Sequence, residues 1–314
     1  KGAWALHTLR EDIGAKNFQK IVKKYLKKHQ YKNVITDEFL AEVKKVVKTF
    51  DAENFKKTWL ETSGFDMVLA ESYLVKNKSV AAYIQLTKEK KDLENYKAIL
   101  ESETYFPIKQ YIFYKLANTP FEDKKELIEI GMKQNLYVRQ AIAETVTKIP
   151  VEFKSQYETF LDDASYNTKE IALINLCKNF PEDKKNYLMK TKNIIGNNDK
   201  SFRISWLSLD FLSDDDGYEK YLILQELLDF SSERYESSIR QNALEVLLKL
   251  APDDYFVIAS LFRATTHHKW QFTKFSRDII REKLKNSEFR NRVEELAKTA
   301  DEKTAALYMK FLKE

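Results

Sequence analysis

The sequence predicts an all-α protein, because turn-forming residues are scarce and because a helix pattern recurs along most of the chain. Only 6 glycines and 5 prolines occur in 314 residues, well below the ordinary usage of about 7% and about 5%. A β protein needs such residues in its many turns. No run approaches about 18 consecutive apolar residues, so no membrane span is expected.

From about residue 80 to the end, the chain repeats a pattern in which a basic residue opens an apolar helix. The basic residues that carry this pattern, here called the basic markers, are Lys109, Arg139, Lys169, Arg203, Arg240, Arg277 and Lys303. Their successive spacings are 30, 30, 34, 37, 37 and 26 residues. Helices of this length cannot bury an apolar stripe alone, so neighbouring pairs must stack. The pattern predicts an α-solenoid, an α-α superhelix, over residues 80–314.

Four of the five prolines support this repeat, because a helix tolerates proline only in its first turn. They follow a basic marker by 11 or 12 residues and predict the start of the next helix at Pro120, Pro150, Pro181 and Pro252. The fourth copy has no such proline, and there we expect Ser213 with residues 214–216, all aspartate, to cap the helix. The same aspartates lack the ligand spacing of a calcium loop.

The repeats resemble HEAT repeats, with the closest matches at Val138-Arg139 and Ile239-Arg240. This resemblance concerns structure and carries no activity of its own. The markers have two interpretations. They can pair with carboxylates of adjacent turns, which we favour, or arginines such as Arg139, Arg203, Arg240 and Arg277 can line a concave surface that binds a carboxylate group.

The first 66 residues contain an ordered set of motifs of a different kind. These are Lys1-Gly2-Ala3, Leu6-His7, Leu9-Arg10, Gly14, Phe18, Tyr25, His29, Tyr31-Lys32-Asn33, Thr36-Asp37, Phe55, Trp59-Leu60 and Gly64-Phe65, with Asp66 where a proline is usual. In this order they resemble the end of the catalytic domain in zinc aminopeptidases of the aminopeptidase N and leukotriene hydrolase family. The resemblance implies three parts: residues 1–66 as the C-terminal helices of that domain, 67–79 as a connector, and 80–314 as HEAT-like repeats.

The same resemblance implies a zinc-dependent parent protein that removes N-terminal residues from peptides, its helical repeats closing the substrate cavity. In this family the zinc ligands come from His-Glu-x-x-His and a later Glu, and the motif's Glu acts as general base. None of the four histidines, His7, His29, His267 and His268, begins that motif. The sequence therefore assigns no catalytic, cofactor-binding or metal residue to this chain, which we expect to be inactive alone. The alternative is a non-enzymatic scaffold that binds a protein or peptide partner.

The remaining candidates favour structural interpretations. Residues 1–70 hold 14 Lys and Arg against 9 Asp and Glu, which accounts for the whole excess of +5. The stripe at Lys20, Lys23, Lys24, Lys27 and Lys28 is typical of a solvated amphipathic face rather than a phosphate-binding one, and since the repeats are neutral, nucleic acid is not an expected partner. We expect Cys177 to be a packed thiol and His267-His268 to lie in a loop without binding metal.

Overall fold

The structure is a computed structural model, and it describes residues 1–90, 92–213 and 217–314. Within these ranges the secondary structure is helical and includes no strand. The prediction of an all-α protein is therefore confirmed. No helix in the described ranges has both the length and the apolar character that a membrane crossing requires.

The helices follow one another with short connections. The first ten are α1 (Gly2–Ile13), α2 (Ala15–Lys28), α3 (Thr36–Val46), α4 (Ala52–Lys56), α5 (Met67–Leu74), α6 (Lys78–Lys88), α7 (Leu93–Glu101), α8 (Phe106–Lys115), α9 (Phe121–Met132) and α10 (Leu136–Thr145). The next ten are α11 (Lys154–Glu158), α12 (Tyr166–Asn179), α13 (Lys184–Thr191), α14 (Ser201–Phe211), α15 (Gly217–Phe230), α16 (Ser237–Leu250), α17 (Tyr255–Ala264), α18 (Trp270–Lys283), α19 (Ser287–Thr299) and α20 (Glu302–Leu312). Helix α4 continues into a π-helical turn, Lys57–Glu61.

Helix packing divides the chain into two units: residues 1–92 with 103–108, and residues 93–102 with 109–314. In the first unit, apolar side chains of α1, α2, α3, α4 and the π-helical turn form one core. Its buried members are Ala5, Leu9, Ile13, Ile21, Leu40, Val43, Phe55 and Trp59. Gly14 joins α1 to α2 at φ +80°, a left-handed conformation that favours glycine because a Cβ atom would strain it. The predicted connector residues 67–79 hold α5 and the start of α6.

In the second unit, helices stack on their near neighbours in chain order. Helices α10, α12, α14, α16 and α18 form one row in which each packs on the next. Across that row, α9 packs on α10, α15 on α16, and α17 on α18. Contacts limited to near neighbours in sequence are typical of an α-solenoid. At the C-terminal end, α19 packs on α20, and Phe262 of α17 contacts the rings of Tyr308 and Phe311.

The helix starts agree with most of the proline predictions. Pro120 is the residue before α9, and Pro150 and Pro181 each open a 3₁₀ turn that leads into α11 or α13. Pro252 lies in the turn before α17, where Asp254 caps the helix by accepting from the backbone N–H groups of Phe256 and Val257. The cap predicted at residues 214–216 lies outside the described residues.

One marker is not where the pattern predicts it. Most markers lie in the first turn of their helix, as Arg139 does in α10 and Arg240 in α16. Helix α18, however, begins at Trp270, so Arg277 lies two turns inside it and the prediction that it opens a helix was wrong. The segment from Trp270 to Arg277 contains no Gly or Pro. Nothing in it therefore opposes helix formation, and α18 extends upstream of the marker.

Candidate functional site

Four of the seven basic markers share a structural role that the sequence did not reveal, because each donates to a carbonyl at or just after the end of the preceding helix. The Nζ of Lys109 donates to the carbonyl of Leu100 in α7 at 2.8 Å. The Nη1 of Arg139 donates to the carbonyl of Gln134, just after α9, at 2.7 Å. The last carbonyls of a helix lack intrahelical donors and carry partial negative charge. A basic side chain donates a hydrogen bond to such a carbonyl and also offsets its partial negative charge.

Two markers also form the carboxylate pairs that the sequence favoured. The Nε of Arg139 donates to Asp163 at 2.6 Å, and Asp163 is almost fully buried. Arg203 makes a bidentate pair with Glu226, with Nε–Oε1 at 2.8 Å and Nη2–Oε2 at 2.7 Å. Both carboxylates lie further along the chain, so each pair links one helical repeat to the next. Such fork-like pairs are the stronger kind of charged hydrogen bond.

The other markers find no carboxylate within ion-pair distance among the described residues. The Nε of Arg240 donates to the carbonyl of Ser231 at 3.2 Å, and the Nη2 of Arg277 to that of Thr265 at 3.4 Å. The Nζ of Lys169 lies 5.6 Å from the centre of the Tyr166 ring. The four arginine markers therefore differ. Arg139 and Arg203 are neutralised by a carboxylate, whereas within the described ranges Arg240 and Arg277 bond only to a carbonyl.

Polar side chains on α8, α10, α12 and α14 form a set of hydrogen-bonded groups that the sequence did not reveal. We call it the polar row, and it consists of Gln110, Tyr114, Gln140, Glu144, Glu170, Ser201 and Ser205. In it, Glu144 accepts from the Tyr114 hydroxyl at 2.6 Å and from Gln140 at 2.9 Å. Glu170 accepts from Ser201 at 2.9 Å and from Ser205 at 2.6 Å.

Two glutamates in the polar row each accept hydrogen bonds from neighbouring side chains. Burial and the hydrogen bond to Glu144 raise the pKa of Tyr114, so that its hydroxyl stays a donor. The members are half-buried or exposed and carry both donors and acceptors, which is the chemistry that an extended peptide requires. No sequence motif marks such a row, because its members come from four helices and are common residue types.

In the first unit, two residues that carry the family resemblance, Trp59 and Phe65, belong to an aromatic cluster. The ring of Trp4 lies 5.5 Å from that of Phe65, and the ring of Trp59 lies 6.4 Å from Phe65 and 6.1 Å from Tyr73. Trp59 is buried in the π-helical turn. The cluster thus joins Trp4 of α1 to the motif residue Phe65, which is a structural role.

The lysine stripe on α2 is a solvated face, as the sequence favoured. Lys20, Lys23, Lys24 and Lys27 are exposed, while Ile21 on the opposite side is buried. Lys28 differs, because its Nζ donates to Glu42 at 2.6 Å. Hydrogen bonds from Lys28 and from Lys45 lower the pKa of Glu42 to about 2.

The histidines do not come together as a metal site. His7 lies in α1, His29 follows α2, and His267 and His268 lie in the loop between α17 and α18. In that loop the two rings stack at 4.2 Å instead of pointing apart as in a helix. No group of three or more His, Cys, Asp or Glu suited to a metal occurs in the described part of the chain. These residues therefore do not fit zinc.

Cys177 is packed in α12 with 6% of its surface exposed. Burial raises the pKa of its thiol to about 11, against a smaller opposing effect of Lys184. A thiol in that state is protonated at neutral pH and is a poor nucleophile. The prediction of a packed thiol is confirmed.

A cleft of about 250 Å³ between α11 and α13 has charged walls that largely satisfy one another. Lys154 pairs with Asp183 and lies 4.7 Å from the centre of the Phe180 ring. The Tyr187 hydroxyl donates to Glu158 at 2.8 Å. With its polar groups already paired, the cleft offers little to fix a ligand.

Comparison with known proteins agrees with the aminopeptidase resemblance of the N-terminal segment. Residues 1–59 match the family model described as the peptidase family M1 domain. No curated protein and no solved structure matches the chain significantly. The N-terminal segment, residues 1–59, is therefore similar to the peptidase family M1 domain.

Proposed function

We propose that this chain is the C-terminal portion of a zinc-dependent aminopeptidase. The observation that carries the proposal is the match of residues 1–59 to the M1 domain, joined to a stacked helical unit. In the proposed protein a zinc-activated water hydrolyses the N-terminal peptide bond. The zinc ligands would come from outside this chain, since its described residues do not fit the metal.

The helical repeats, residues 80–314 in this proposal, close the cavity that holds the peptide. The polar row supports this role, because it offers side-chain donors and acceptors along four successive helices. Glu144 and Glu170 can accept from the backbone N–H groups of a peptide once the local hydrogen bonds rearrange. The repeats thus select substrates by length, and the chemistry lies elsewhere.

The first experiment concerns the chain itself. Purified protein is assayed for zinc by atomic absorption and for hydrolysis of leucine p-nitroanilide, with and without a chelator. We expect no stoichiometric zinc and no chelator-sensitive hydrolysis. Activity that copurifies with this chain and disappears with chelator would contradict the proposal. Upstream coding sequence provides an independent check, with His-Glu-x-x-His expected about 70 to 90 residues before Lys1.

The second experiment concerns the repeats in the longer protein. Glu144→Gln and Glu170→Gln remove charge from the polar row while preserving shape, and Glu126→Gln on α9 is the matched control outside it. We expect the first two to raise KM for peptides of about ten residues by roughly threefold to tenfold, the effect of losing a charged hydrogen bond. The KM for leucine p-nitroanilide should not change. Equal effects of all three variants would contradict a specific role of the polar row in peptide binding.

A further inference from the structure

Arg240 is a buried arginine whose charge the protein does not neutralise by an ion pair. The residue is 4% exposed. Its Nε donates to the carbonyl of Ser231, and both Nη atoms lack a hydrogen-bond acceptor in the described ranges. The guanidinium lies 5.2 Å from the centre of the Phe272 ring. A largely buried charge without an ion pair is costly, and since neither Nη atom is among the fully buried atoms without a partner, both stay accessible to one.

Comparison with the other markers shows how unusual this arrangement is. Arg139 and Arg203 occupy equivalent places in earlier repeats, and each pairs with a carboxylate. Both of those side chains are about a quarter exposed. Arg240 is more deeply buried than either and lacks the carboxylate. In this repeat the arginine therefore has no carboxylate within ion-pair distance among the described residues.

The helix ends beside Arg240 carry further donors. The Ser231 hydroxyl donates to Ser260 at 3.2 Å, and the Nη2 of Arg263 donates to the same Ser260 oxygen at 3.1 Å. Ser232, which follows the carbonyl bonded by Arg240, has a buried hydroxyl without a hydrogen-bond partner in the described residues. Hydroxyls and guanidinium groups together are typical ligands of oxyanions.

Charges of both signs act on Arg240 and on the nearby His267. Burial lowers the pKa of Arg240, Glu233 raises it and Arg263 lowers it. Burial, His268, Arg240 and Lys269 lower the pKa of His267, and Glu233 raises it. The acid that acts on both groups, Glu233, is solvent-exposed.

We propose that Arg240 anchors a site for a phosphate group, between the end of α15 and the loop that joins α17 to α18. The two Nη atoms bind phosphate oxygens in the fork-like geometry that arginine favours. Arg263 and Lys269 supply the outer charge, and the Ser232 hydroxyl is the second buried donor. The three positive charges of Arg240, Arg263 and Lys269 outnumber the one negative charge of Glu233 by two. This difference favours a phosphate dianion over a singly charged carboxylate.

The test uses the full chain, with inorganic phosphate as the probe and sodium chloride to hold ionic strength constant. We expect phosphate to raise Tm saturably by about 2 to 6 °C, because it binds the folded state alone. Arg240→Gln should abolish that rise. The matched control is the double variant Arg203→Gln/Glu226→Gln, which removes a satisfied pair and should keep it.

Surface variants keep the test decisive if Arg240→Gln does not fold. Arg263→Gln and Lys269→Gln should each weaken phosphate binding about threefold by calorimetry, since each removes one nearby charge. Glu233→Gln should strengthen it by a similar factor. Three results would overturn the proposal: no saturable rise in Tm, acetate that binds as tightly as phosphate, or a folded Arg240→Gln variant that responds like the parent.

Discussion

Replacing Gly131 by alanine should destabilise the repeat unit, although the same change usually strengthens a helix. Gly131 lies in α9, where alanine would gain about 1 kcal/mol of helix propensity. A Cβ atom at this position would lie 2.5 Å from Cζ of Phe113 and 2.7 Å from Cδ1 of Ile142. Both neighbours are fully buried, so neither can move without cost. Overpacking of this kind costs about 1 to 3 kcal/mol, which leaves a net loss of about 1 kcal/mol.

Thermal unfolding followed by circular dichroism measures this loss as a decrease in Tm of about 2 to 4 °C. Gly2→Ala in α1 is the control, because no atom lies within 4 Å of its added Cβ. Phe113→Leu removes the ring atoms nearest the new methyl group. The two changes together should therefore cost about 1 kcal/mol less than the sum of the single changes. A Gly131→Ala protein more stable than the parent would refute this packing argument.

The remaining predictions concern charge and reactivity. Arg203→Gln should destabilise the protein by about 1 kcal/mol in a denaturant titration, because it leaves Glu226 without its bidentate partner, and Glu226→Gln in the same chain should restore part of the loss. The pKa of Glu42 is lowered to about 2, so the stability it contributes is complete above its unfolded pKa, near 4.5, and is lost as pH falls towards 2. The acid-unfolding curve of Glu42→Gln should lack that component. Cys177 should react with a disulfide reagent at pH 8 only as fast as the protein unfolds, since burial raises its pKa to about 11.

Composition and periodicity were sufficient to predict the class of fold. The scarcity of glycine excluded a turn-rich protein. Pro120, Pro150 and Pro181 predicted helix starts, because the restriction of proline to the first turn of a helix is a local steric effect. The start of α18 was not predictable from its marker. Its first two turns contain ordinary helix-forming residues, and only the position of the preceding loop decides where the helix begins.

The side-chain contacts of the candidate surfaces were harder to predict from the sequence than the helices were. Carboxylate partners of Arg139 and Arg203 lie 24 and 23 residues further along the chain, at distances that no short motif encodes. The polar row combines residues from four helices, so it exists only after the repeats have stacked. By contrast, the M1 resemblance was detectable because its residues follow a fixed order within one continuous segment.

The markers show why a repeated residue need not have one role. Four of the basic side chains reach a carbonyl at the end of the preceding helix, and the helix-turn-helix geometry supplies that acceptor whatever the sequence. The carboxylate is different, since it must be encoded separately in the next repeat. Where it is present, as at Asp163 and Glu226, the marker is neutralised and serves packing. Where it is absent, as for Arg240, the same geometry leaves a buried charge available to a ligand.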